Sequence, residues 1–127
     1  MEFVRVIAAA LAAFGFGAVW YIAMAKPWMA ASGVTPEQQR NGGPMPFVIG
    51  IVAMVVVAGM MRHVFNMGGI ETLSAGVVSG LGIGAFFITP WVAMNYGFAQ
   101  RPFSLTVIDS VNAIVGAGIM GAVLTLI

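Results

Sequence analysis

The sequence predicts an all-α polytopic membrane protein, an antiparallel bundle of four transmembrane helices with a short interfacial helix in the first connection. Three observations predict it. The 127-residue chain is 61% hydrophobic and only 7% charged, with a mean hydropathy of +1.02, whereas soluble domains carry about 25% charged residues. Four apolar segments, at about residues 3–25, 45–66, 71–95 and 102–126, reach the ~20 residues that a helix needs to cross a hydrocarbon core. They lack the alternation, in runs of about ten residues, that marks barrel strands. The length suits one domain, residues 1–127.

The first segment, FVRVIAAALAAFGFGAVWYIAMA, ends in an A-x-A pattern before Lys26, as a cleaved signal would. It exceeds the ~7–15-residue apolar core of a signal, and Trp20 and Tyr21 suit an interfacial aromatic belt. It reads as a retained span. The connection that follows, KPWMAASGVTPEQQRNGGP, contains a helix start. Thr35 caps it, Pro36 takes the first helical position, and Gln38 completes a capping box. Asn41-Gly42-Gly43-Pro44 stops it. The second segment, MPFVIGIVAMVVVAGMMRHVF, passes into NMGG, which reads as a tight turn. In the third, Pro90 in FFITPWVAMN removes a backbone donor and predicts a kink. The short connection YGFAQRP leads into the fourth.

Short connections predict that consecutive helices are antiparallel neighbours, with both termini on one face. That face carries Arg5 and Arg62, and the other carries Lys26, Arg40 and Arg101. The positive-inside count leans toward cytoplasmic first and third loops by a single residue, too little to fix the orientation.

Helices in lipid associate by close packing, which small residues permit. Gly76, Gly80 and Gly84 recur every fourth residue on the third segment, as do Ala113, Ala117 and Gly121 on the fourth and Ala9, Ala13 and Gly17 on the first. These seams serve packing within one bundle or contact with another protein. They match no GxGxxG or Walker pattern, so they do not read as phosphate cradles.

One carboxylate stands inside an apolar run, Asp109 in RPFSLTVIDSVN. It lies roughly 10 Å below the interface at 1.5 Å per residue. An acid at that depth calls for a partner or a proton. The antiparallel layout collects Trp20, Tyr21, Lys26, Trp28, Asn95, Tyr96 and Arg101 at the same end. Asn112 shares a helix face with Asp109, Asn95 is close in depth, and Tyr21 and Trp20 offer donors. Arg101 reaches Asp109 only by folding back, and Lys26 or Arg40 can reach in from the long first connection. The cluster reads as an interhelical hydrogen-bond clamp, with a proton- or cation-binding site as the functional alternative. His63, beside Arg62 and near Met60, Met61 and Met67, belongs at the opposite end and reads as interfacial. With no cysteine and one histidine, neither a thiolate nor a zinc set is available, and no metal or cofactor is expected. No triad, HExxH or paired acids appear, so enzymatic chemistry is not expected.

GAVWY with a following WM, the glycine-rich third helix, NYGFAQRPFSLTVID and MGAVL together resemble a family of small bacterial four-helix membrane proteins catalogued as a domain of unknown function. The resemblance spans nearly the whole chain. It implies the four-helix fold and singles out Trp20, Tyr21, Trp28, Asn95, Arg101, Pro102 and Asp109. It also implies the inner (cytoplasmic) membrane of a bacterium. The expected function is that of a helix-packing interaction protein, a homo-oligomer or an accessory subunit of a larger membrane complex. The alternative is a small proton- or cation-coupled transporter or channel using Asp109. Expected partners are membrane lipids and further copies or other membrane proteins, with no nucleic acid.

Overall fold

A computed structural model describes residues 2–127, and among them there is no strand. Helix α1 (Glu2–Ala23) breaks at Met24, whose φ of −101° and ψ of 17° leave the helical region. The chain then re-enters a helix at once, α2 (Ala25–Ser32), with Pro27 in the first turn, where a missing N–H costs little. Gly33, at φ 78°, ends α2 in the left-handed conformation and returns its N–H to the Met29 carbonyl. The sequence reading placed one short helix in this connection; there are two. The added one is α2, read from sequence as the end of the first segment and the start of the connection.

The other short helix, α3 (Pro36–Asn41), forms as its capping residues dictate. Gln38 N–H donates to the Thr35 hydroxyl at 3.1 Å, and Thr35 N–H donates to the Gln38 side-chain carbonyl at 2.9 Å. Helix α4 (Met45–Gly68) ends at Gly69, left-handed at φ 67°. Thr72 then caps α5 (Leu73–Ile83) by accepting from Ala75 N–H at 3.2 Å. A π turn (Gly84–Ile88) joins α5 to α6 (Thr89–Phe98), and α7 (Phe103–Leu126) completes the chain. Four helices, Glu2–Ala23, Met45–Gly68, Leu73–Phe98 and Phe103–Leu126, are long and apolar enough to cross a membrane.

The π turn lies just before Pro90, where the sequence predicts a kink. Proline offers no N–H, and its ring crowds the carbonyl four residues back, at Phe86. Thr89 N–H bonds Gly84, five residues back, which widens the turn. One extra residue enters the helix, so every later side chain is displaced in phase.

Helix α7 is the centre of the molecule. Its apolar window is 44% buried, against 11–17% for the other three spans. It packs on α1 along one side and on α5, the π turn and α6 along the other. Helix α4 lies on α1 and touches α7 only slightly. Although a short turn joins them, α4 and α5 do not pack along one another. The reason is shape. The glycines of α5 match the small residues of α7, whereas α4 carries bulky Met61 and Phe65. Those two fill the space against Ala9, Ala10 and Ala13 of α1 and Met120 and Leu124 of α7, all at most 3% exposed. Neighbours of this kind gain dispersion contacts that lipid does not match.

The α5–α7 seam is closer still. A Cβ on Gly76 would lie 2.5 Å from the Gly121 carbonyl oxygen, and one on Gly121 would overlap the Gly76 carbonyl. Gly80 stands in the same relation to Ala117, and Gly84 to Ala113, at 2.6 Å. Glycine hydrogens therefore point at carbonyl oxygens across the seam, the arrangement of weak Cα–H···O bonds. At the face with the termini, Arg62 clamps Glu2 with two N–H groups at 2.6 and 3.0 Å and reaches the Leu124 carbonyl at 3.5 Å.

Candidate functional site

At the other end of the molecule α1, α6 and α7 converge on Asp109. Tyr21 of α1 donates its hydroxyl to Asp109 Oδ1 at 2.6 Å, and Tyr96 of α6 donates to Oδ2 at 2.5 Å. The register that brings them there is set by small residues. Opposite Ala13 stands Gly116, and opposite Gly17 stands Asn112. The next turn up then faces Tyr21 and Trp20 with Asp109 and Ile108. Trp20 Nε1 donates to the Ile108 carbonyl at 3.0 Å, a second tie between α1 and α7. Its ring stacks on Phe16, and the Tyr21 ring meets Trp28 of α2 edge-on at 6.2 Å.

The structure brings Asp109, Tyr21, Trp20 and Asn112 together. It leaves Asn95 and Arg101 outside. Asn95 is exposed and makes none of the site's hydrogen bonds. The cause is the π turn. Eleven residues make about three α-helical turns, which would carry the α7-facing side from Gly84 to Asn95. The extra residue of the π turn moves that side on to Tyr96. The sequence places Tyr96 at this end of the bundle but points to its neighbour Asn95 as the partner of Asp109; the π turn exchanges the two. Arg101 points away from the acid. Its Nη1 donates to the Ser32 carbonyl at the end of α2, at 3.0 Å, as cations commonly do at helix C-termini. It therefore anchors the first connection to the last.

Asn112 does not hydrogen-bond to Asp109. Its Oδ1 is buried without a partner, packed over Gly17. Two buried hydroxyls, of Ser110 on α7 and Thr89 beside the π turn, are likewise unpartnered. The residues expected to pack helices, Gly76, Gly80, Gly84, Ala113, Ala117 and Gly121, face one another across the α5–α7 seam. His63 is exposed at the opposite face, near Glu2, Arg62 and Asn66. Among the described residues no three His, Asp or Glu side chains cluster as a metal set would require.

Because α4 stands away from α7 at this end, a cavity of about 510 Å³ opens between α1, α4 and α7. Asp109, Asn112 and Tyr21 form its polar wall. Phe14, Phe47 and Met54 are apolar walls, and Trp28 of α2 and Gln39 of α3 lie over it. The inner end is buried Ala13; the mouth is formed by exposed Gln39, Pro46, Phe47 and Ala18. Its volume lies in the ~300–1,000 Å³ range of small-molecule sites, and an apolar lining with few placed polar groups is their usual chemistry. Each carboxylate oxygen has accepted one hydroxyl, and a carboxylate offers about four acceptor positions in all. Asp109 can therefore still receive a donor from the cavity.

A family model described as "Protein of unknown function (DUF1761)" matches residues 4–125. No match was found among curated proteins or among solved structures.

Proposed function

The chain belongs to the DUF1761 family, and on that premise we propose that it is a membrane-embedded binding protein whose cavity at Asp109 receives a small amphiphilic molecule. The observation that carries this reading is the cavity itself. It sets one hydrogen-bonded carboxylate at the side of an apolar, aromatic-lined space that opens beside α2 and α3. A ligand with a donor-bearing head and an apolar body satisfies both parts. Its proposed location is the cytoplasmic membrane of a bacterium.

Two other roles have less support. Association with further copies or with a larger complex drew its support from the small-residue seams. Those of α5 and α7 close on each other, and Ala9 and Ala13 of α1 are already buried. Transport coupled to Asp109 needs a path to the opposite face. Between Asn112 and Arg62 stand Ala9, Ala13, Ala58, Met61, Met120 and Leu124, a tightly packed apolar plug. Access from one side fits binding better than passage.

The test is native mass spectrometry of protein released from lipid nanodiscs. A stoichiometric adduct is expected on the unmutated chain and not on Ala18→Trp, which fills the mouth at an exposed position. Equal adducts on both proteins would contradict the proposal.

A further inference from the structure

Resting on that reading, we infer that the ligand of the cavity is a lipophilic organic cation, an amine or quaternary ammonium carried on an apolar body. Three features of the lining point to it. Asp109 is the one charged residue there; among the described residues no Lys, Arg or His lines the cavity. Four aromatic residues, Phe14, Tyr21, Trp28 and Phe47, surround the same space. Aromatic rings attract cations through their quadrupoles, and sets of such rings are the usual recognition of quaternary ammonium groups. The cation nearest to Asp109 in sequence, Arg101, donates instead to the Ser32 carbonyl.

The same lining argues against other ligand classes. An anion would face Asp109 with no basic side chain to offset it. A zwitterionic lipid would bring its ammonium together with a phosphate, and the cavity offers that phosphate no cation. A free amine has neither problem. The remaining apolar surface, from Phe14, Met54 and Ala13, accommodates its body. The two tyrosine hydroxyls hold the carboxylate from the α1 and α6 sides, so its orientation does not depend on the ligand. Binding then requires no rearrangement of the site.

The test uses (4-phenylbutyl)trimethylammonium and its uncharged carbon isostere, each in radiolabelled form, in equilibrium dialysis against nanodiscs. The unmutated protein is expected to bind one cation per chain at least about tenfold more tightly than the isostere. Asp109→Asn is expected to lose that preference while still binding the isostere, which shows that the variant is folded. Ala18→Trp is expected to bind neither. Equal binding of cation and isostere, both abolished in Ala18→Trp, would overturn the ammonium assignment and leave the cavity reading standing. Failure of both probes would overturn the two together. Phosphatidylethanolamine retained through purification and displacing the probe would replace the free amine with a lipid headgroup and sink the inference.

Discussion

The Tyr96 hydroxyl donates to Asp109 at 2.5 Å, an α6-to-α7 bond that exists because a π turn rotates α6 by one residue. With Tyr21 on the other oxygen, the acid ties three helices. Interhelical hydrogen bonds in membranes average about 0.6 kcal/mol and reach about 1.7. Tyr96→Phe and Tyr21→Phe are each expected to cost an amount in that range, and each to couple with Asp109→Asn in a double-mutant cycle. Asn95→Ala, on the exposed side, is expected to stay within ~0.5 kcal/mol of the unmutated protein. Reversible unfolding in mixed micelles measures all four. A larger loss for Asn95→Ala than for Tyr96→Phe would contradict the assigned phase of α6.

The seam between α5 and α7 makes a sharper contrast between two neighbouring glycines. A Cβ on Gly80 would overlap the Ala117 carbonyl, a backbone atom that cannot swing aside; a Cβ on Gly82 meets nothing within 4 Å. Gly80→Ala is expected to destabilise by about 1–3 kcal/mol through overpacking. Gly82→Ala is expected to be neutral or to stabilise by up to ~1 kcal/mol through helix propensity. The same unfolding assay separates them, and equal effects would refute the seam.

Ser110 is buried but its hydroxyl has no partner. Removing an unsatisfied polar group does not forfeit a hydrogen bond. Ser110→Ala is therefore expected to leave stability unchanged or raised, despite the position's burial. A loss above ~1 kcal/mol would mean that the hydroxyl has a partner in the membrane.

At the face with the termini, the paired bonds from Arg62 to Glu2 join α4 to α1, while Arg5 only approaches Glu2 at 3.6 Å. Arg62→Ala is expected to speed hydrogen exchange at residues 6–10, and Arg5→Ala to change it little. High salt is expected to narrow the difference, since exposed ion pairs are screened. Equal exchange in the two variants would show that the clamp does not hold α1.

Much of this was legible in the residues. Hydropathy marks the four spans because lipid demands apolar length, and Thr35 with Gln38 marks α3 because capping is a local contact. The pairing of Tyr21 and Trp20 with α7 near Asp109 follows from antiparallel depth alone. What was not legible depends on small local choices with distant effects. The π turn before Pro90 replaces Asn95 with Tyr96. Met24 leaves the helical region and α2 restarts at once, which brings Trp28 over the cavity. The cavity arises because α4 packs on α1 and leaves α7 uncovered near Asp109. Hydropathy carries no signal for that, since all four spans are apolar.

The chain contains no cysteine, which makes one measurement especially direct. Ala18→Cys places a single thiol at the mouth of the cavity, and Val52→Cys places one on the exposed side of α4, outside its lining. Both are labelled with a membrane-permeant maleimide, with and without (4-phenylbutyl)trimethylammonium. If the cavity at Asp109 holds a ligand, the probe slows labelling at position 18 and leaves position 52 unchanged. Labelling at position 18 that is indifferent to the probe, or slowed equally at both positions, would contradict the account.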